Sequence, residues 1–368
     1  MKYSTVITLC VAGIILSSIG VGSLLSYRGL EFQVTLTLSL IAALLNLLAI
    51  PLFLKGAKQF KAELQRAYIF LCFGIGVFGL AQIQLPLVSL FEWGFWINSG
   101  GLAVPYLLGV LGIFYGIRAF AKLLHIKTFW ISPVIALIAT VALSFAASRL
   151  PHVQVAEDEL TFQLALALSI WNSVFITFAA ITAFLIRTKI GEAYKHSVSW
   201  LCAALTVIAF AGWHYAAIQL AMTTGDWYYD YSFTIIPFVV GALILTIAGY
   251  KFTTTDAFNT KDTQPKPHTS LELNIILYVA SLASRPADID VTLDTVRLIT
   301  SRREASDPLP PSDKQALTGV YRKIEEYLVH NDPLRKFSQA DLHKNIMEKF
   351  ELTPQSWTLL WQESETRK

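Results

Sequence analysis

Eight stretches of this chain, near residues 5–26, 33–54, 67–91, 97–117, 129–148, 161–186, 197–222 and 232–250, contain no Asp, Glu, Lys or Arg at all. Each is long enough to cross a hydrocarbon core as a helix, for which roughly 18–20 apolar residues suffice. A backbone in lipid must pair its own N–H and C=O groups, and a continuous apolar run does so as a helix. The pattern predicts an all-α integral membrane protein of about eight transmembrane helices with a small cytoplasmic helical domain. One alternative stays open at the start. "MKYSTVITLCVAGIILSSIGVGS" also has the build of a signal peptide, a lysine followed by an apolar core and small residues. The apolar stretch runs on to Leu25, which favours a retained first helix. Cleavage would leave seven helices and the same orientation for the others.

Charge placement orients the spans. Lys55, Lys58, Lys61 and Arg66 follow the second, Arg118, Lys122 and Lys127 the fourth, and Arg187, Lys189 and Lys195 the sixth. The opposite loops hold Arg28 and Arg149 against Glu31, Glu92, Glu157, Asp158, Glu159, Asp226 and Asp230. By the positive-inside rule the N-terminus and everything after Lys251 are cytoplasmic. Short loops with this bias suit a bacterial inner (plasma) membrane.

Only 15% of the residues are charged, against about a quarter in soluble domains, and the deficit lies in the first two thirds. The expected organisation is a transmembrane domain over 1–251, a polar linker over 252–270 and a cytoplasmic α-helical domain over 271–368. The linker "FTTTDAFNTKDTQPKPHTS" has two prolines and no apolar period. Beyond it, Ser270 stands where a helix N-cap belongs, and Leu271, Ile275, Tyr278, Val279 and Leu282 form a helical stripe. Leu317, Val320, Tyr321, Ile324 and Leu328 form another, and Pro354 opens a last short helix.

Composition and motifs narrow the function. Proton-coupled transport and intramembrane hydrolysis lean on charged or metal-binding groups in the spans, and the spans have none of the charged kind. Cys10, Cys72 and Cys202 lie in apolar runs without CxxC spacing, so neither a disulfide framework nor a zinc site is expected. The tail has no GxGxxG, Walker A, HExxH or kinase signature, and no cofactor is expected. The stretch "FSQADLHKNIMEKFELTPQSWTLLW" resembles a helix-turn-helix in outline but lacks the turn glycine and a basic recognition helix. From Phe252 onward there are 15 Lys plus Arg and 17 Asp plus Glu, a charge of −2, which argues against nucleic acid as a partner.

What the spans do hold is neutral polarity: Asn46, Gln82, Gln84, Asn98, Trp171, Asn172 and His214, several of them in the outer half. Asn, Gln and His can simply bond helix to helix. They can also line an outward-opening cavity for a small organic or lipid-like ligand. Gln82, Gln84, Asn98, Trp171, Asn172 and His214 are therefore the candidate ligand-binding residues. Trp357 and Trp361, near a polar terminus, are expected to dock on a surface: the domain's own helices, which is the favoured reading, the underside of the membrane helices, or a cytoplasmic or membrane protein partner, for which they are the candidate binding residues. The expected function is that of a sensor or signal-transducing membrane protein with a non-catalytic cytoplasmic output domain. The alternatives are a transporter or permease subunit and a structural subunit of a larger complex.

Overall fold

The computed structural model describes residues 31–58, 60–90, 103–126, 134, 138, 159–221, 227–254, 270–301, 309–335 and 337–362. Among them the regular structure is entirely helical, with 11 α-helices. They are α1 (Glu31–Ala57), α2 (Ala62–Leu90), α3 (Ala103–Leu123), α4 (Glu159–Lys189), α5 (Glu192–Ala221), α6 (Trp227–Thr253), α7 (Leu271–Ser281), α8 (Asp290–Ser301), α9 (Pro311–Glu326), α10 (Gln339–Lys349) and α11 (Pro354–Gln362). The first six each contain a segment long and apolar enough to cross a membrane: Leu36–Ala57, Ala62–Gln84, Val104–Leu123, Ile170–Lys189, Glu192–Trp213 and Ile235–Thr253. The chain is a multi-pass integral membrane protein with a helical C-terminal region. These helices match the second, third, fourth, sixth, seventh and eighth expected spans. The first expected span lies outside the described residues, as does the fifth apart from Val134 and Ile138.

The chain divides into two compact units. One comprises Met1–Lys58, Ala62–Arg187 and Ser197–Thr254, and the other Gln59–Lys61, Thr188–His196 and Thr255–Lys368. The tail unit thus takes in the segment joining α1 to α2 and the one joining α4 to α5. Most of the expected linker, 255–269, lies outside the described residues.

Within the membrane unit, glycine decides how closely helices approach. A Cβ on Gly74 of α2 would fall 2.3 Å from the Ile113 nitrogen of α3, and one on Gly112 would fall 2.6 Å from the Gly74 Cα. One on Gly109 would lie 2.6 Å from the Phe78 nitrogen. Backbone therefore lies on backbone, the contact that small residues permit in lipid, and Phe78 is set directly beside Tyr106 and Val110. On the other side of α1, Thr246 of α6 donates its hydroxyl to the Leu45 carbonyl at 2.8 Å. Phe53, Tyr68 and Phe252 meet nearby in one aromatic cluster. Pro51 and Pro237 sit inside α1 and α6, as membrane helices tolerate when neighbours cover the freed carbonyls.

In the tail unit α9 is the central element, packed on both α7 and α8. Its expected stripe, Leu317, Val320, Tyr321, Ile324 and Leu328, is buried throughout. The Ser270 side chain caps α7 by accepting from the Leu273 N–H. Tyr278 of α7 packs edge-on against Phe350, with the Lys349 ammonium 4.0 Å from its ring centre.

Candidate functional site

The membrane unit contains a cleft walled by Phe78 of α2, Tyr106 and Val110 of α3, Asn172 and Ile176 of α4, Ile208 and Gly212 of α5, and Phe238 of α6. Counted at 1.5 Å per residue, these positions stand roughly 18–26 Å from the lysine-bearing ends of their helices. In a hydrocarbon core about 30 Å thick that is the half away from the basic ends. Phe78, Tyr106 and Phe238 form one aromatic wall, with ring centres 5.5, 5.6 and 6.2 Å apart. Gly212 leaves the opposite wall low: a Cβ there would meet the Ser173 hydroxyl oxygen at 3.4 Å and Ile176 at 3.8 Å. The space open to the centre of a water molecule is about 30 Å³, and one water needs roughly 10–15 Å³. The cleft is narrow.

Asn172 is the one amide among the described wall residues. It is 9% exposed, and its Oδ1 is buried without a hydrogen-bond partner. Such an oxygen in hydrocarbon costs about 1–3 kcal/mol if left unpaired. Two other amides are buried at neighbouring levels. Asn46 of α1 packs against Gly79, one residue after Phe78, and both its side-chain polar atoms lack a partner. Gln82 is 1% exposed and its amide is likewise unpartnered.

The structure therefore brings one of the expected ligand-binding residues, Asn172, into the cleft. Gln82 and Gln84 are outside its walls, although the Gln84 Oε1 is also buried without a partner. Trp171 is 51% exposed and stacks on Phe175, with centres 5.7 Å apart. Asn98 lies outside the described residues, and of His214 only the backbone, in α5, is described. The aromatic wall was not anticipated from sequence. Phe78 stands in the glycine–aromatic run "CFGIGVFG", which packs on "GVLGIFYG", while Tyr106 and Phe238 carry no such local signal.

A second arrangement lies in the tail unit. Asp332 is completely buried. Its Oδ2 accepts from the Ser284 N–H at 2.8 Å, and its Oδ1 from those of Leu334 and Arg335 at 3.0 Å each. Burial pushes its carboxyl above the usual carboxylate range, and the backbone N–H groups oppose that shift. Both interhelix segments join here. The Lys61 ammonium donates to the Asp332 carbonyl, and the Lys61 N–H donates to the Leu334 carbonyl at 3.0 Å. The Gly191 N–H donates to the Ser284 carbonyl at 2.8 Å. Phe60 and Tyr194 meet with ring centres 5.7 Å apart. Sequence reading missed Asp332 and Gly191, which look like ordinary turn residues.

Trp357 and Trp361 lie in the tail unit's own aromatic group. Trp361 stacks on Tyr321 at 4.4 Å and 18°, and Trp357 meets Tyr321 edge-on at 5.7 Å and His343 at 5.1 Å. Glu325 accepts from Gln339 at 3.2 Å and pairs with His343. Burial, with Glu325 alongside, pushes the Tyr321 hydroxyl well above its ordinary value. Leu359, on the same short helix, is 60% exposed.

No protein-family model matches this chain, and neither a curated protein nor a solved structure matches it.

Proposed function

We propose that the protein is a membrane-embedded relay: its transmembrane unit responds to a ligand or to the state of the bilayer, and its tail passes the response to a protein partner. The basic residues at the helix ends support a cytoplasmic tail in this reading. One observation carries it. Residues 59–61 and 188–196, which connect α1 to α2 and α4 to α5, are structural members of the tail unit. They are held there by backbone hydrogen bonds to Ser284 and Leu334. A change in the spacing of either helix pair would pull on those segments through the chain itself. A tail that merely followed α6 would need no such members.

Hydrogen exchange of the full-length protein, reconstituted in nanodiscs of short-chain and of long-chain phosphatidylcholine, tests this reading. The relay predicts that exchange in peptides covering 188–196 and 281–285 differs between the two bilayers. Equal exchange in both peptides, with α1–α6 responding to thickness, rules it out. Uptake measured in vesicles separates the relay from a permease, which would move solute whatever the tail does.

A further inference from the structure

We propose that the cleft binds an uncharged single-chain lipid alcohol from the bilayer, its hydroxyl donating to Asn172 Oδ1 and its chain lying along Phe78, Tyr106 and Phe238. The inference rests on the relay reading and names the ligand of that same unit. Four features of the cleft select this chemistry.

The buried polar atom that lacks a partner there is an acceptor, so the ligand must bring an O–H or N–H donor. Among the described wall residues there is no Lys, Arg, His, Asp or Glu, so a carboxylate, phosphate or ammonium head would meet no counter-charge from them. The other walls are aliphatic and aromatic, which suits a hydrocarbon body. The space is narrow, and the missing side chain at Gly212 leaves a one-carbon slot in which a carbon would rest in ordinary van der Waals contact with Ser173 and Ile176, which suits a single methylene chain rather than a fused-ring body. The source follows from position: the cleft sits inside segments that cross the hydrocarbon layer, where lipid is the available solute.

The test uses the full-length protein in phosphatidylcholine nanodiscs, titrated separately with 1-dodecanol, dodecane and dodecanoate and followed by thermal unfolding. Dodecanol should raise the unfolding temperature saturably and at lower concentration than dodecane, and dodecanoate should give no saturable rise. In Asn172→Leu the alcohol should lose its advantage, with half-saturation moved up about threefold to tenfold, the worth of one neutral hydrogen bond. Gly212→Leu, which fills the slot, should remove the saturable response to both neutral probes.

Dodecanol and dodecane behaving alike on the unaltered protein would overturn the proposal, and that comparison stands even if Asn172→Leu fails to fold. An alcohol advantage that survives Asn172→Leu overturns it as well. The absence of any saturable shift overturns it too. Saturable alcohol binding that leaves exchange at 188–196 and 281–285 unchanged refutes the relay and leaves the site. A bilayer-dependent change in exchange without alcohol binding does the reverse.

Discussion

Replacing Gly191 by alanine should detach the α4–α5 connection from the tail unit. A Cβ at this position would lie 2.1 Å from the Ala283 carbonyl oxygen and 3.2 Å from its carbon. Those atoms are backbone and cannot swing aside, so restoring ordinary contact needs a shift of about 1 Å. The same strand of backbone carries the Gly191 N–H to Ser284 carbonyl bond and the Ser284 N–H to Asp332 bond, both 2.8 Å long. A 1 Å displacement takes at least the first beyond hydrogen-bonding range. Losing one such bond and weakening the other, with their donors still away from water, costs about 2–4 kcal/mol. The measurement is hydrogen exchange of the purified full-length protein by peptide. Exchange in 188–196 and 281–285 should rise about thirtyfold to a thousandfold, with peptides of α1–α3 unchanged. Gly319→Ala is the control, since a Cβ there meets nothing within 4 Å. In the interior of α9 it should stabilise by about 0.5–1 kcal/mol. Wild-type protection at 188–196 in the Gly191 variant would refute the steric argument.

Gly112→Leu should separate α2 from α3, because even a Cβ there lies 2.6 Å from the Gly74 Cα; the folded yield in mild detergent should fall severalfold, and an undiminished monodisperse peak would contradict the packing described. Asp332→Asn must turn an amide donor toward one of three backbone N–H groups, which should cost the tail unit about 2–3 kcal/mol at neutral pH in chemical unfolding. The raised carboxyl of Asp332 also sets a sign: the folded state holds that proton more tightly than the unfolded chain, so Asp332 favours folding increasingly as pH falls from neutral through its raised value. The stability gap between wild type and Asp332→Asn, a side chain that does not titrate, should therefore widen as pH falls from neutral, and a gap that narrows would reverse the assignment. Trp361→Ala removes the ring stacked on Tyr321 and should lower tail stability by about 1.5–3 kcal/mol; an unchanged unfolding midpoint would show that the stacking contributes nothing to the tail's stability.

The helices of the membrane unit were legible because each is a local statement: an uncharged run of sufficient length bounded by charge. The α9 stripe and the Ser270 cap were legible for the same reason, since a helix face and a cap are written within a few consecutive residues. The candidate cleft was legible only at Asn172. Five helices contribute its walls, and whether a polar residue faces that space or another helix depends on crossing geometry that the sequence does not state. Glycine set much of that geometry: Gly74, Gly109 and Gly112 bring α2 and α3 into backbone contact, and this swings Phe78 onto Tyr106 while Gln82 stays outside the walls. The tail junction was illegible for a simpler reason. Lys61 and Asp332 are 271 residues apart, and no local pattern in either segment refers to the other.

That separation has a thermodynamic consequence. Ser284, Leu334 and Arg335 donate to the Asp332 carboxylate, while Ser284 and Leu334 accept from Gly191 and Lys61. The tail's central turn and the two interhelix segments are thus one hydrogen-bonded group. A partner that binds the tail and favours one arrangement of this group must bias the positions of 59–61 and 188–196. Any ligand that alters the spacing of α1 and α2, or of α4 and α5, must in turn change the tail's affinity for that partner by the same factor, because binding couplings are reciprocal. In the proposed relay, a ligand in the cleft would act on this group only by the difference in its affinity for the two arrangements. A coupling of 1–3 kcal/mol is typical of two-site linkage, and roughly that much is at stake in one unpaired Asn172 oxygen finding a donor.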